Sequence, residues 1–214
     1  MDGVGFEDSS MDAAAPWLLR VGIDHSGKLD TTQLWDIGIR GAILADLWLS
    51  GRIADAGETL EIDTDPTGIP YLDTAIYQLA ESDSTPLEWL SQDWLRATDV
   101  ADELVRAGEW TVRRSLTASR WRMYHSEAVQ RYVPLRRRVA HVYDGDIPPA
   151  SATEATVALL GHALNVVRPD KWGRPTFESL WINACGSAGS IVEATISTIL
   201  ALSRSAGANA DPAY

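Results

Sequence analysis

TQLWDIGIRGAILADLWLSGRI, residues 32–53, is the stretch that decides the fold. Leu34, Ile37, Ile39, Ile43, Leu44, Leu47 and Trp48 recur in it at mixed spacings of three and four. That spacing predicts a helix over Thr32 to Ser50 with a wide apolar face. Gly51 follows as a helix stop. Next, Arg52 to Ala54 and Thr59 to Asp63 read as two short strands around Asp55-Ala56-Gly57. Asp65-Pro66-Thr67-Gly68 is a turn signal.

Toward the N-terminus, Trp17 to Ile23 is an apolar run of strand length, closed by a turn at Asp24-His25-Ser26-Gly27. Residues 1–15 are acidic and small, without periodicity, and read as a disordered tail. Toward the C-terminus, Leu72, Ile76 and Leu79 predict a helix over Pro70 to Ala80. Thr85 caps the next helix and Pro86 takes its first position. The helical pattern continues over Asp93 to Ala107 through Val100, Leu104 and Val105, and Gly108 ends it.

Trp110 to Tyr124 changes character. Thr, Val, Trp and Arg dominate, and Ser115 to Ser119 is polar enough for a turn, so two strands forming a basic hairpin are predicted. A helix follows from Ser126 to Tyr143, kinked or split at Pro134. Asp144 to Pro149 is a loop. Ala150 to Val167 and Ala188 to Ser203 are further helices, and the chain frays from Ser205. The fold class is mainly α: one compact helical domain over 16–204, with a basic β-hairpin and short strands near the N-terminus, between tails 1–15 and 205–214.

Charge is segregated. The 214 residues carry a net −12. Between Arg113 and Arg138 there are eight arginines (113, 114, 120, 122, 131, 136, 137 and 138) and one acid, Glu127. That window carries +7, which leaves −19 on the rest of the chain. The hairpin joins Arg113, Arg114, Arg120 and Arg122 to Leu116 and Trp121. Each basic residue near an anionic surface contributes about 1 kcal/mol, so four supply roughly 4 kcal/mol. Tryptophan favours the headgroup level of a bilayer. Membrane docking has a physical basis here; an ordinary solvated hairpin is the alternative. Arg136-Arg137-Arg138 spans most of a helix circumference, so at least one of them faces inward to an acidic partner.

Other chemistry is thin. The single Cys185 cannot form an internal disulfide and reads as a small buried hydrophobe. His25, His125, His141 and His162 make no metal-spaced pair. No Gly-x-Ser-x-Gly, phosphate-binding glycine loop or paired-cysteine motif occurs, so neither an enzyme nor a cofactor is expected. Asp144-Gly145-Asp146 does not continue as a calcium loop. The longest apolar stretch, Ile191 to Leu202, is broken by Glu193, Thr195, Ser197 and Thr198, and the N-terminus lacks the order of a signal peptide. A cytoplasmic protein is expected.

Leu34 to Ile53 resembles the signature of the Golgi phosphoprotein 3 family: a helix carrying Arg40-Gly41, then an acid-Leu-x-Leu-x-Gly-Arg-Ile ending. Asp65-Pro66-Thr67-Gly68 before Leu72-Asp73-x-Ala75 is similar to the family's turn and next helix. Leu104-Val105-x-x-Gly108 is similar to the helix end before its hairpin. The resemblance covers roughly residues 17–204, and the alanine- and aspartate-rich style is similar to the family's actinobacterial members. It implies a lipid-binding domain with a protruding hairpin that docks on membranes and mediates oligomer contacts. It implies a shallow pocket for phosphatidylinositol 4-phosphate, with Arg40 at the headgroup-binding arginine, Trp35 near the family's tryptophan, and Arg96 as neighbour to its arginine pair. The partners implied are an anionic, phosphoinositide-like membrane, a second copy through the hairpin, and protein cargo.

Two other function classes compete. An arginine hairpin on a helical domain resembles the wing of a nucleic-acid-binding regulator, although −19 on the remaining chain repels a long polyanion. A protein–protein interaction scaffold uses Leu116 and Trp121 equally well.

Overall fold

The computed structural model describes residues 13–29, 32–55, 60–82, 84–114, 122–125, 129–167 and 177–208. Among these are nine α-helices and two antiparallel strand pairs. Helix α2, Gln33–Leu49, is the axis. From Ile37 to Leu47 every residue is buried, including Gly38, Gly41 and Asp46. A helix apolar on all sides belongs inside a bundle. Around it pack α1 (Ala14–Gly22), α7 (Ala152–Ala163) and α9 (Gly189–Ala208), with α3 (Pro70–Glu81), α4 (Pro86–Ser91) and α5 (Ala97–Arg106) along its outer side. The α2–α9 approach is close: a Cβ on Gly41 would lie 2.3 Å from Thr195 Cγ2.

Both glycine stops are present. Gly51 and Gly108 adopt φ of +71° and +75°, a region that L side chains disfavour. At each, the following residue's N–H bonds back to the last helical turn: Arg52 to Leu47 O at 2.9 Å, and Glu109 to Leu104 O at 2.9 Å. After Gly51, β1 (Ile53–Asp55) pairs with β2 (Leu60–Ile62), Ile53 opposite Ile62. The Arg52 guanidinium closes this ribbon by donating to Asp63 at 2.6 Å and to Asp65 O at 2.9 Å. Residues 56–57 of the expected turn lie outside the described residues. The start of α4 is a reciprocal cap, with Thr85 and Glu88 bonded to each other's backbone N–H.

Several expectations change. The run Trp17 to Ile23 is helical, not a strand. Short apolar runs are ambiguous between the two, and Asp46 of α2 settles this one by accepting the Ala14 and Ala15 N–H groups at 2.6 and 3.0 Å. Ordered helix therefore begins at Ala14; residues 1–12 lie outside the described set. The helix expected from Asp93 begins only at Ala97. Arg40 takes the Leu90 and Leu95 carbonyls at 2.8 and 2.9 Å, and Asp36 takes the Ala97 N–H at 2.8 Å, which holds 92–96 as a non-helical link. Of the two alternatives at Pro134 the split is found: a 3-10 turn, Val129–Tyr132, runs into α6, Val133–Tyr143, and Ser126 lies outside the described residues. Finally, α8 (Phe177–Ala184) was not anticipated, and α9 runs beyond Ser205 to Ala208.

Helix α9 contains the apolar stretch Ile191 to Leu202. The stretch Gly186–Ser205, a 3-10 turn and most of α9, has the length and mean hydropathy, 1.2, of a spanning helix. Yet Ile191, Val192, Thr195 and Ile199 are buried and Glu193 and Arg204 exposed, the pattern of an amphipathic helix packed by one face on α2 and α7.

Cys185 is fully buried and donates its thiol to Trp181 O at 3.3 Å; burial pushes its pKa up. Ellman's reagent is expected to leave the native thiol untouched and to titrate one thiol after denaturation. Rapid native labelling would show that α8 and α9 open.

Candidate functional site

Two groups of arginines concern function. The first lies where α2 meets the 92–96 link. Arg40 is 3% exposed. Its Nε and Nη1 are occupied by the Leu90 and Leu95 carbonyls, and burial lowers its pKa. Arg96 is the surface member; its Nε and Nη2 meet Asp93 at 3.1 and 2.5 Å. The two guanidinium groups lie close enough to repel one another, and Asp36 and Asp93 act on both. Asp99 accepts the Arg96 backbone N–H at 2.7 Å. Three carboxylates thus offset two arginines here.

Trp35 does not join them. Its indole is 4% exposed and packs its outer edge against Gly22 of α1: a Cβ on Gly22 would fall 1.8 Å from Trp35 Cη2. It locks α1 to α2 and is not open to a surface ligand. Trp94, 41% exposed beside Arg96 in the chain, is the indole on this surface, and sequence reasoning missed it. The available signal was a tryptophan in a polar link between two caps.

The second group is built on the hairpin and α6. Strand β3 (Thr111–Arg114) pairs antiparallel with β4 (Arg122–His125). Trp110 and Tyr124, 2% and 1% exposed, root it. Trp110 Nε1 donates to Tyr132 Oη at 3.0 Å, and Tyr124 Oη to Asp102 at 2.7 Å. The register sets Arg113 opposite Met123 and Arg114 opposite Arg122. Like charges directly opposed weaken strand pairing. Leu116, Arg120 and Trp121 lie outside the described residues. In α6, Arg138 forms a two-bond ion pair with the fully buried Glu154, which also accepts the Ala150 N–H at 2.6 Å. The expected acidic partner is found there, although Arg138 reaches it from an exposed position and does not face inward. Arg137 is exposed, and Arg136 half-buried.

The remaining candidates are structural in character. His162 stacks on Tyr143 with centroids 3.9 Å apart, and His141 Nδ1 lies 3.2 Å from Asp146. Among the described residues, no group of three or more His, Cys, Asp or Glu is arranged to hold a metal ion.

The family model described as Golgi phosphoprotein 3 (GPP34) matches residues 18–177, from within α1 to the first residue of α8. This chain belongs to the Golgi phosphoprotein 3 family. Both arginine groups fall inside the matched span, and α9 falls beyond it. No curated protein matches the chain. The mostly helical fold with a two-stranded hairpin is the architecture that the resemblance to the Golgi phosphoprotein 3 family implied.

Proposed function

We propose that this Golgi phosphoprotein 3 family member is a peripheral membrane protein that docks from the cytoplasm on anionic lipid headgroups, a binding module without turnover. The observation that carries the reading is the hairpin register. Arg114 and Arg122 are cross-strand neighbours in a segment of net +7. That pairing is unfavourable in isolation and favourable against an anionic surface. Family membership supports the same reading. The headgroup is phosphoinositide-like, and a second copy or protein cargo can use the same hairpin.

The Arg40 and Arg96 group plays a smaller part. Its three nearby carboxylates weaken the local field for a phosphate. Arg96 is the member that a headgroup reaches, by displacing Asp93; Arg40 acts from beneath by holding the link.

Flotation with neutral vesicles, with and without phosphatidylinositol 4-phosphate or cardiolipin, tests this. The triple variant Arg120→Ala, Trp121→Ala, Arg122→Ala is expected to bind at least tenfold more weakly, because two arginines near an anionic surface contribute about 2 kcal/mol and an indole adds headgroup-level anchoring. Equal recovery on neutral and anionic vesicles would sink the proposal.

A further inference from the structure

Among the described residues, three arginines meet a carboxylate through the same edge, whereas Arg52 and Arg106 use a single Nη1. Arg20 presents its Nε and Nη2 to Glu109 at 3.1 and 2.8 Å. Arg96 presents the same edge to Asp93, and Arg138 presents it to Glu154. That edge is a planar two-donor fork matched to two oxygens of one anion.

Arg136 carries the same fork unfilled. Its Nε and Nη2 are both shielded from water, and neither has a hydrogen-bond partner among the described residues. Buried donors are almost always satisfied, and two on one guanidinium call for a specific reason. The residue as a whole is half-buried, and its exposed part lies outside Nε and Nη2. Burial lowers its pKa, while Asp24 acts on it from the turn after α1. That carboxylate is committed elsewhere: its Oδ1 accepts the Ser26 N–H, the Ser26 hydroxyl and the Lys28 N–H at 2.7, 2.7 and 2.8 Å. The same turn reaches the hairpin, where Leu29 N–H meets Tyr124 O at 3.4 Å. Arg136 therefore stands near the foot of the basic hairpin, with exposed Arg137 beside it in the chain and exposed Lys28 on the turn.

We propose that Arg136 is a seat for a phosphate group, which it grips side-on through Nε and Nη2 at the foot of the hairpin. The seat rests on the membrane reading above for its source, a lipid headgroup phosphate; its chemistry would take a free phosphate monoester as well. It gives that reading a specific contact that the Arg40 group, ringed by acids, lacks.

The experiment uses the full chain. Inorganic phosphate and glycerol phosphate are titrated while the Arg136 Nε–H resonance is followed by NMR. Flotation is run on phosphatidylcholine vesicles with and without phosphatidylinositol 4-phosphate. Arg136→Lys keeps the charge and removes the fork; Arg137→Lys is the control. The expected result is a saturable shift of the Arg136 resonance, about tenfold weaker phosphate binding in Arg136→Lys, and little change in Arg137→Lys. An unmoved resonance overturns the seat, and this readout on the wild type holds even if a variant folds poorly. Wild-type flotation by Arg136→Lys also overturns it while leaving the membrane reading intact. A wild type that takes phosphate but floats with no anionic vesicle supports the seat and removes the membrane reading.

Discussion

Arg40→Met is expected to lower the unfolding free energy by about 4 kcal/mol, because two hydrogen bonds from a charged donor contribute roughly 1.5–3 kcal/mol each. The donors are Nε and Nη1, and the acceptors are the carbonyls of Leu90 and Leu95, both buried residues. Methionine fills much of the volume but leaves both carbonyls unpaired in a dry place. The denaturation midpoint should fall with little change in slope. A loss below about 1 kcal/mol would show that the 92–96 link holds without the guanidinium. The same variant separates two functional roles. If vesicle binding falls only in step with the folded fraction, Arg40 is a strut beneath the surface. If binding is lost in a variant of full stability, the guanidinium itself meets the headgroup.

The helices were legible where pattern and punctuation agreed. The 32–53 stretch gives a helix with glycine closure because its apolar residues and Gly51 specify the same end. Thr85, Pro86 and Glu88 specify α4 in the same way. What failed were elements decided by distant side chains. Nothing within Trp17 to Ile23 tells that its N-terminal amides will be met by Asp46, over thirty residues away. Nothing within Asp93 to Arg96 tells that Arg40 will claim its carbonyls. Local pattern carries local bonds only; tertiary capping overrides it.

The candidate site was legible as charge but not as partnership. The excess of arginine between 113 and 138 is visible in the sequence, and so is the hairpin that carries half of it. Which arginine is committed is not visible. Arg138 goes to Glu154, Arg96 to Asp93 and Arg40 to backbone, while the Arg136 fork meets no partner among the described residues. Trp35 misleads for the same reason: its chain proximity to Arg40 puts it on another side of α2, against Gly22. A residue five positions along a helix lies about 500° around it, well off the same face.

Asp46 makes stability depend on pH in an unusual direction for a carboxylate. It is buried, and burial raises its pKa to about 7 against the two backbone N–H bonds that favour its charge. In the unfolded chain it titrates near its ordinary value of about 4. Between these limits the folded state holds a proton that the unfolded state has released. Stability from this group is therefore greatest below about pH 4, falls as pH rises, and levels off above about pH 7, a span on the order of 4 kcal/mol. The groups around it do not reverse the sign. Tyr71 of α3 stays neutral, its pKa raised by burial and by Asp46 and Glu103, while Arg20 of α1 acts the other way on it. Asp24, Asp63 and Glu88 have lowered pKa values and act in the opposite sense, below the window. Asp36, raised by burial, adds in the same sense. Asp46→Asn isolates the effect: it loses one of the two α1 bonds, about 1 kcal/mol at every pH, and should flatten the curve between pH 4 and 7. Urea denaturation of both chains across that range is the measurement. An undiminished slope in the variant would move the effect to Asp36 and leave Asp46 as an ionised cap of α1.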